Sequence, residues 1–339
     1  MAVRVAINGF GRIGRALMRA SVHDPDIDIV AVNDLGSVEN LSYLLKYDTV
    51  YRRFPGQVSS EPGYLVVGAK RIQVLSEKDP AALPCKTLNI DVVVEATGFF
   101  ADYTKANAHI VAGAKHVVIT APVKDDNPLG TTVLMGVNNQ AVGTCPITSN
   151  ASCTTNSASP VIAILDETIG IERAVLSTVH GYTATQSIVD GPSKRGMKEG
   201  RAAAQNIIPT STGAAIAVTK AYPNLAGKFD GVSLRVPVPA GSIADITFVP
   251  KRATTAEEVN KILTDAAASP RWQGIFTVTN DELVSSDIIG EPYASIADLG
   301  LTRVVDGMLV KVFAWYDNEM GYTYTLLRHV KEAGSALPK

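Results

Sequence analysis

Cysteine is scarce in this chain: Cys85, Cys145 and Cys153 are the three among 339 residues. So odd and sparse a set supplies no disulfide framework, and no CxxC spacing suggests a metal site. A reducing, cytoplasmic setting is the expectation. Charge of one sign is also missing. Lys and Arg number 31 against 33 Asp and Glu, leaving a formal charge of −2. That balance predicts no nucleic-acid partner and no acidic-membrane partner. No apolar run reaches the roughly 18 residues a membrane-spanning helix needs. No basic leader with an apolar stretch precedes the first strand-like run, so no secretory signal is expected. Internal repeats and low-complexity tracts are absent as well. What remains is 46 % hydrophobic and 19 % charged, the composition of a globular protein long enough for two domains.

The first third alternates short β-branched runs with helical patterns. Strands are expected at Val3–Asn8, Asp28–Asn33, Asp91–Ala96 and His116–Thr120, and helices at Ile13–Val22 and Tyr103–Ala112. Gly68–Leu75 reads as a strand on an antiparallel excursion. Strand–helix–strand order at this spacing predicts a parallel, doubly wound sheet. After about residue 150 the pattern changes. A helix is expected from Cys153 to about Thr168. Strands follow at Ala174–Thr178, Gly231–Pro237, Ile243–Pro250 and Leu309–Trp315, with helices at Ala214–Ala221, Thr255–Ala268 and Gly321–Ala336. The fold class expected is α/β: an N-terminal Rossmann doubly wound parallel sheet plus an α+β catalytic domain with a mixed, largely antiparallel sheet. The boundaries are 1–152, completed by a C-terminal helix over 318–339, and 153–317. Thr183–Arg201 reads as a long ordered loop, a kind of segment that usually serves function.

Asn8-Gly9-Phe10-Gly11-Arg12-Ile13-Gly14 contains GxGxxG. Alone the pattern says little. Here it follows a predicted strand, opens a predicted helix, and is followed 20 residues after Gly14 by Asp34 at the end of the next strand. Those are the contexts of a dinucleotide-binding turn. Gly9 permits the tight turn, Gly11 lets backbone approach a pyrophosphate, and Gly14 lets helix and strand pack closely. The helix N-terminus attracts phosphates. Asp34 would accept from the ribose hydroxyls and repel a 2′-phosphate, which favours NAD over NADP.

Cys153 lies in Ser149-Asn150-Ala151-Ser152-Cys153-Thr154-Thr155-Asn156, just ahead of an apolar helical run. A thiol at a helix N-terminus gains thiolate character. A cysteine is as often plain packing, and local sequence leaves both readings open. Cys85 and Cys145 sit beside prolines and read as structural. Among the histidines, His180 ends a β-branched strand and opens a polar loop, where catalytic groups tend to lie. A Cys–His pair would share a proton, imidazolium stabilising thiolate and imidazole later acting as base. His23 and His329 read as solvated surface, His109 and His116 as structural. Arg235, in an otherwise apolar strand, needs a partner or a ligand.

At this point the residues match a family. SNASCTTN (149–156) resembles the active-site signature of glyceraldehyde-3-phosphate dehydrogenases. INGFGRIGR (7–15), the ND at 33–34, YLLKYD (43–48), HGYTATQ (180–186), RAAAQNIIPTSTGAA (201–215), LRVPVP (234–239) and WYDNEMGY (315–322) resemble it in order along the chain. The resemblance implies an NAD-dependent enzyme that oxidises glyceraldehyde 3-phosphate and consumes inorganic phosphate. Cys153 would carry a hemithioacetal and then a thioester, with His180 as base. It further implies phosphate sites made by Ser152, Thr154, Thr183, Thr212, Gly213 and Arg235. Cofactor contacts would come from Arg12, Ile13, Asp34, Lys78, Thr97, Thr120 and, at the nicotinamide carboxamide, Asn318. The Gly191-Pro192 pair resembles NAD-specific members, and the long loop implies a homotetramer. Three positions depart from the pattern: Ser157 replaces a second cysteine, Glu199 stands where many members carry arginine, and Ala240-Gly241-Ser242 replaces Asn-Val-Ser. Erythrose-4-phosphate dehydrogenase and a non-catalytic binding paralogue on the same fold are the alternatives.

Overall fold

The structure, a computed structural model, describes residues 2–338. The chain divides into two compact units. One runs to Val133 and takes in Asn139–Ala151 and the chain from Thr325 on. The other comprises Leu134–Asn138 and Ser152–Tyr324. The N-terminal break thus falls one residue before the sequence boundary, and the C-terminal one falls seven residues later, inside the last helix.

In the first unit, β1 (Val3–Asn8) leads through a glycine turn into α1 (Arg12–Ser21) and back to β2 (Ile27–Asn33). The helix forms because its buried residues Gly14, Leu17, Met18 and Ser21 recur at one-turn spacing, which puts them on one face against the sheet. After α2 (Val38–Lys46) and a two-stranded ribbon, β3 (Tyr47–Asp48) with β4 (Arg52–Arg53), come β5 (Val58–Glu61), β6 (Tyr64–Val67) and β7 (Lys70–Leu75). The chain re-enters the sheet at β8 (Val92–Glu95), passes through α3 (Tyr103–Val111), and adds β9 (His116–Ile119), β10 (Gly130–Thr132) and β11 (Ile147–Ser149). The sheet order is β10-β11-β9-β8-β1-β2-β7-β6-β5. Every pairing from β10 to β7 is parallel, and β6 and β5 add antiparallel strands at one edge. This is the doubly wound Rossmann sheet. The expected excursion over Gly68–Leu75 needs one correction: β7 itself joins the parallel sheet beside β2, and only β6 and β5 are antiparallel. Successive strands are laid outward in opposite directions from β1 and β8, which makes the gap beyond their C-terminal ends the switch point where ligands bind in such sheets.

The second unit opens with α4 (Cys153–Thr168), in which every residue from Thr154 to Leu165 is buried. Small polar residues fill its first turns and apolar ones the rest, so no face is left for solvent, and α4 packs on the sheet. That sheet has the order β13-β14-β12-β15-β18-β17-β16, from β12 (Ile171–Gly181), β13 (Ile208–Ser211), β14 (Phe229–Val236), β15 (Ser242–Pro250), β16 (Phe276–Thr279), β17 (Ser295–Val305) and β18 (Leu309–Tyr316). It is mixed and largely antiparallel, with two parallel pairings, β12/β14 and β16/β17. Around it lie α5 (Ala214–Ala221) and α6 (Ala256–Ala267), and α7 (Met320–Ser335) leads back to the first unit. The Thr255 hydroxyl caps α6 by accepting from the Glu258 N–H, an arrangement worth about 1 kcal/mol. The eleven-residue β17 has no clean alternation in sequence. Asp298, Gly300 and Arg303 interrupt it, and its pairing with β18 shifts register between Asp298 and Arg303.

Candidate active site

The glycine turn of the first unit is a close-approach device. Gly9 has φ +95°, and a Cβ there would lie 2.7 Å from the Ala96 carbonyl carbon. A Cβ on Gly14 would stand 2.3 Å from the Gly9 oxygen. Glycine is therefore required at both, at Gly14 by space alone. On Gly11 a Cβ would meet nothing within 4 Å, so the backbone there is open to close approach from outside. The turn forms one wall of a crevice of about 500 Å³ lined by Gly9, Gly11, Asp34, Lys78 and Thr97 among others. Asp34 is held from both sides: one carboxylate oxygen accepts from the Phe10 N–H at 2.8 Å and the other from Gly36 at 2.9 Å. Each oxygen retains a lone pair for a ribose hydroxyl. The Arg12 guanidinium is paired with Asp48 and lies over the Tyr51 ring, while the backbone of Arg12 and Ile13 stands in the first turn of α1, where N–H groups lack helical partners. Thr120 directly follows β9, its hydroxyl donating to the Glu95 carbonyl.

Sequence reasoning did not find the floor of this crevice. The buried Glu95 carboxylate accepts from Asn8 Nδ2 at 2.6 Å, from the Thr97 N–H at 2.8 Å and from the Thr97 hydroxyl, and it contacts His109 Nε2 at 2.9 Å. Asn33 Nδ2 in turn donates to Asn8 Oδ1 at 2.7 Å. His329 was read as solvated surface and is instead fully buried. Its neighbours Arg328 and Lys331 are charged, but it shares a face of α7 with Leu326, Val330 and Ala333, all buried.

In the second unit, Ser152 caps α4 by accepting from the Thr155 N–H at 3.1 Å, which leaves Cys153 as the first helical residue. Ala151, with φ +53°, makes the sharp turn just before it. His180 comes from the end of β12, and its Nε2 lies 3.3 Å from Cys153 Sγ. Register supplies the third member: His180 pairs with Arg235 across the parallel β12/β14 ladder, and Arg235 Nη1 is 2.6 Å from His180 Nδ1. No carboxylate forms an ion pair with this guanidinium among the described residues, so it is the uncompensated positive charge of the site. Tyr316 packs its ring edge-on to the imidazole.

Burial, followed by the Arg235 charge, pushes His180 down to about 3. Burial also pushes the Cys153 thiol up, while Arg235 and hydrogen bonding at Thr154 pull it back down. The other cysteines are free, and Cys85 is pushed up by burial to about 11, as suits structural thiols.

The remaining candidates are dispersed. The Thr154 hydroxyl is turned inward onto Tyr316 Oη at 2.8 Å, so what that residue presents outward is main chain. Thr183 is tied to Gln186, whose Oε1 accepts from the Thr183 N–H at 2.9 Å. Gln186 Nε2 donates to Glu199. The acid that replaces an arginine is thus an internal acceptor of the loop, and Arg201 pairs with Asp190 at 3.0 Å. Thr212 and Gly213 lie at the N-terminus of α5. Gly241, at φ +89°, donates its N–H to Asn318 Oδ1 at 3.0 Å and the Ser242 hydroxyl donates to the same atom at 3.2 Å. Those two donors fix the Asn318 amide with Nδ2 left to donate. No group of three or more His, Cys, Asp or Glu suited to a metal occurs among the described residues, and none of their helices is long and apolar enough to cross a membrane.

Comparison with known proteins agrees with this geometry. Residues 3–103 match the family described as glyceraldehyde 3-phosphate dehydrogenase, NAD binding domain, and residues 152–318 match its C-terminal domain. A glyceraldehyde-3-phosphate dehydrogenase of Zymomonas mobilis is 47 % identical over 326 residues, 95 % of this chain and 96 % of the relative. Glyceraldehyde-3-phosphate dehydrogenase 2 of Streptomyces arenae is 45 % identical over 340 residues, 99 % and 100 % of the two chains. A third relative, from Clostridium acetobutylicum, is 45 % identical over 330 residues, 96 % of each. With both domains matched and relatives aligned nearly end to end, this chain belongs to the glyceraldehyde-3-phosphate dehydrogenase family.

Proposed function

We propose that the chain catalyses the NAD-dependent oxidative phosphorylation of D-glyceraldehyde 3-phosphate to 1,3-bisphosphoglycerate, with Cys153 as nucleophile and His180 as base. The observation that carries this reading is the 3.3 Å approach of Cys153 Sγ to His180 Nε2 at the N-terminus of α4. Cys153 Sγ forms a bond to the aldehyde carbon, and the resulting hemithioacetal oxygen is held by the first-turn N–H groups of α4. His180 Nε2 takes the hydroxyl proton as the carbon is oxidised, which leaves a thioester on Cys153. When bound, NAD supplies the hydride acceptor. Inorganic phosphate then attacks the thioester carbonyl, the C–S bond breaks, and the thiolate and the acyl phosphate are released. Arg235 supplies the charge for a phosphate, with Ser152, Thr154, Thr183, Thr212 and Gly213 completing the anion sites.

For the cofactor, Gly9, Gly11, Arg12, Ile13 and Gly14 offer backbone to the pyrophosphate and Asp34 takes the ribose. Lys78, Thr97 and Thr120 line the remainder, and Asn318 Nδ2 donates to the carboxamide. A homotetramer is supported by apolar side chains left open on the second unit, Ile188 at 90 % and Met197 at 97 % exposure, which mark an association surface. Free cysteines suit a cytoplasmic location. The test is NADH formation from D-glyceraldehyde 3-phosphate and from erythrose 4-phosphate, each with and without inorganic phosphate. The reading expects the three-carbon substrate to be preferred and sustained turnover to require phosphate. Equal rates without phosphate, or preference for the four-carbon sugar, would overturn it.

A further inference from the structure

The polar loop after β12 carries a chain of hydrogen bonds that ends on one carboxylate, Glu199. Main chain sets this residue in place: its carbonyl accepts from the Ser187 N–H at 3.1 Å, and the next carbonyl, of Gly200, accepts from the Gly191 N–H at 2.9 Å. The Glu199 carboxylate accepts from Gln186 Nε2 and, at 3.3 Å, from the Thr185 hydroxyl. No cation pairs with it among the described residues, and Arg201, two positions on, is taken by Asp190.

An ionised carboxylate has only lone pairs to offer. The buried Gln186 amide must therefore turn its NH2 end to Glu199, which puts Oε1 at the other end. That oxygen accepts from the Thr183 N–H at 2.9 Å and lies 3.3 Å from the Thr183 hydroxyl. The hydroxyl has one other acceptor, Thr185 Oγ1 at 3.0 Å, and Thr185 is itself held by Glu199 and by Gln186 Nε2 at 2.8 Å. Both donors of Thr183 are thus spent inside the loop, and each path ends on Glu199. A charged acceptor at the end of such a chain polarises the bonds behind it, which strengthens the hold of Gln186 Oε1 on Thr183.

We propose that Gln186, held by Glu199, occupies the Thr183 donors in place of a phosphate oxygen, so that Glu199 sets how tightly a phosphate group binds at Thr183. The inference rests on the reading of Thr183 as part of an anion site. A phosphate oxygen that takes the Thr183 N–H and hydroxyl displaces Gln186 Oε1, and it does so near a like charge. Glu199 is therefore a positioning residue that acts through Gln186 and weakens the site. The exchange swaps one acceptor for another and involves no covalent step. A substrate phosphate monoester and inorganic phosphate present the same oxygens to Thr183, so both are candidates for the displacing group.

The test is calorimetric titration of the full-length protein, saturated with NAD, with glycerol 3-phosphate (a monoester lacking the aldehyde) and separately with inorganic phosphate. Wild type, Glu199→Gln and Gln186→Ala are compared. The amide in Glu199→Gln removes the charge and can donate as well as accept, so it no longer fixes Gln186. That variant should bind at least one of the two anions about fivefold more tightly, the upper end for one partly exposed charge. The KM of the corresponding substrate should fall by the same factor with kcat within about twofold, the mark of a change in binding alone. The anion that gains shows which phosphate Thr183 serves. Gln186→Ala should gain as well, and the gains in the double variant should be less than additive, because both act on one chain. A carboxylate that merely braced the loop would give the opposite sign, weaker binding on its removal. Unchanged or weaker binding of both anions in Glu199→Gln, or in a folded Gln186→Ala, overturns the inference, and Glu199→Gln decides alone if Gln186→Ala does not fold. NADH formation by the same preparations separates the two claims: an active enzyme with unchanged titrations sinks this inference only, and an inactive wild-type protein sinks the proposed function.

Discussion

The glycine-turn crevice of the first unit and the cysteine–histidine pair of the second both manage negative charge, and they are built from different materials. The crevice works mainly with main chain: two glycines whose missing Cβ atoms admit backbone at 2.7 and 2.3 Å, the open end of α1, and a single carboxylate held in place by two N–H groups. The pair works with side chains from three elements, Cys153 on α4, His180 on β12 and Arg235 on β14, brought within 3.3 and 2.6 Å by strand register. A site made of backbone is damaged by adding atoms. A site made of side chains is damaged by removing them.

That contrast can be broken by substitution, beginning with the largest effect. Cys153→Ser should lower NADH formation by roughly 10⁴-fold or more, since one member of a cooperating catalytic set removed alone costs about as much as the set. NAD binding measured by calorimetry should stay within about twofold, because cofactor affinity comes from remote contacts. Comparable loss of both would show that the two sites are not separable in this way. Gly14→Ala is the reciprocal case. Its Cβ would collide with the Gly9 carbonyl, and NAD should bind on the order of 10²-fold more weakly, the size of two lost charge-assisted hydrogen bonds. Alkylation of Cys153 by iodoacetamide in the absence of cofactor should be unchanged.

A smaller effect sharpens the comparison within the crevice. Asp34→Gly removes the carboxylate without adding bulk, and the preference for NAD over NADP in kcat/KM should fall by about tenfold, the worth of one charge contact of roughly 1.4 kcal/mol. Unchanged NADP kinetics would count against Asp34 as the ribose acceptor.

A last effect, on stability and not on binding or turnover, concerns a buried pair in the first unit. His116 Nε2 and His329 Nε2 both meet the Thr148 hydroxyl, at 2.9 and 2.8 Å, and His329 Nδ1 meets Asn150 Oδ1 at 3.0 Å. All three contacts are satisfied by neutral rings. Burial pushes His116 down to about 4, and burial plus the neighbouring His116 pushes His329 down to about 3. Both folded values lie below the unfolded value of about 6.5, so the unfolded chain binds more protons in acid. Stability is full above about pH 6.5 and declines as pH falls towards 4 and then 3, by up to about 1.4 kcal/mol per pH unit for each ring. Urea midpoints at pH 7 and pH 5 should therefore differ, and His329→Gln should show a shallower dependence on pH. Equal pH dependence in the two proteins would remove His329 from this account.

How much of this was legible in sequence follows the same division of materials. The crevice could be read because its requirements are local: Gly9, Gly11 and Gly14 stand within six positions, and the next strand ends at Asp34. Helix α4 began at Cys153 as expected, because the Ser152 cap and the apolar run are contiguous. The floor of the crevice could not be read, since Asn8 and Glu95 are 87 positions apart and neither residue type signals burial. The Cys153–His180–Arg235 arrangement depends on how β12 and β14 align, which no spacing encodes. The inward turn of the Thr154 hydroxyl and the capture of Arg12 by Asp48 are of the same kind. Charged neighbours misled at His329, where one face of α7 is core and the other is surface.

The central claim is that Cys153 carries the acyl group. The direct measurement is intact-protein and peptide mass spectrometry after mixing the enzyme with NAD and D-glyceraldehyde 3-phosphate in phosphate-free buffer, with NADH followed in parallel. The account predicts a burst of about one NADH per chain, matched by one phosphoglyceryl group on Cys153 that disappears when inorganic phosphate is added. NADH produced with Cys153 unmodified, or an acyl group found on a different residue, would contradict it.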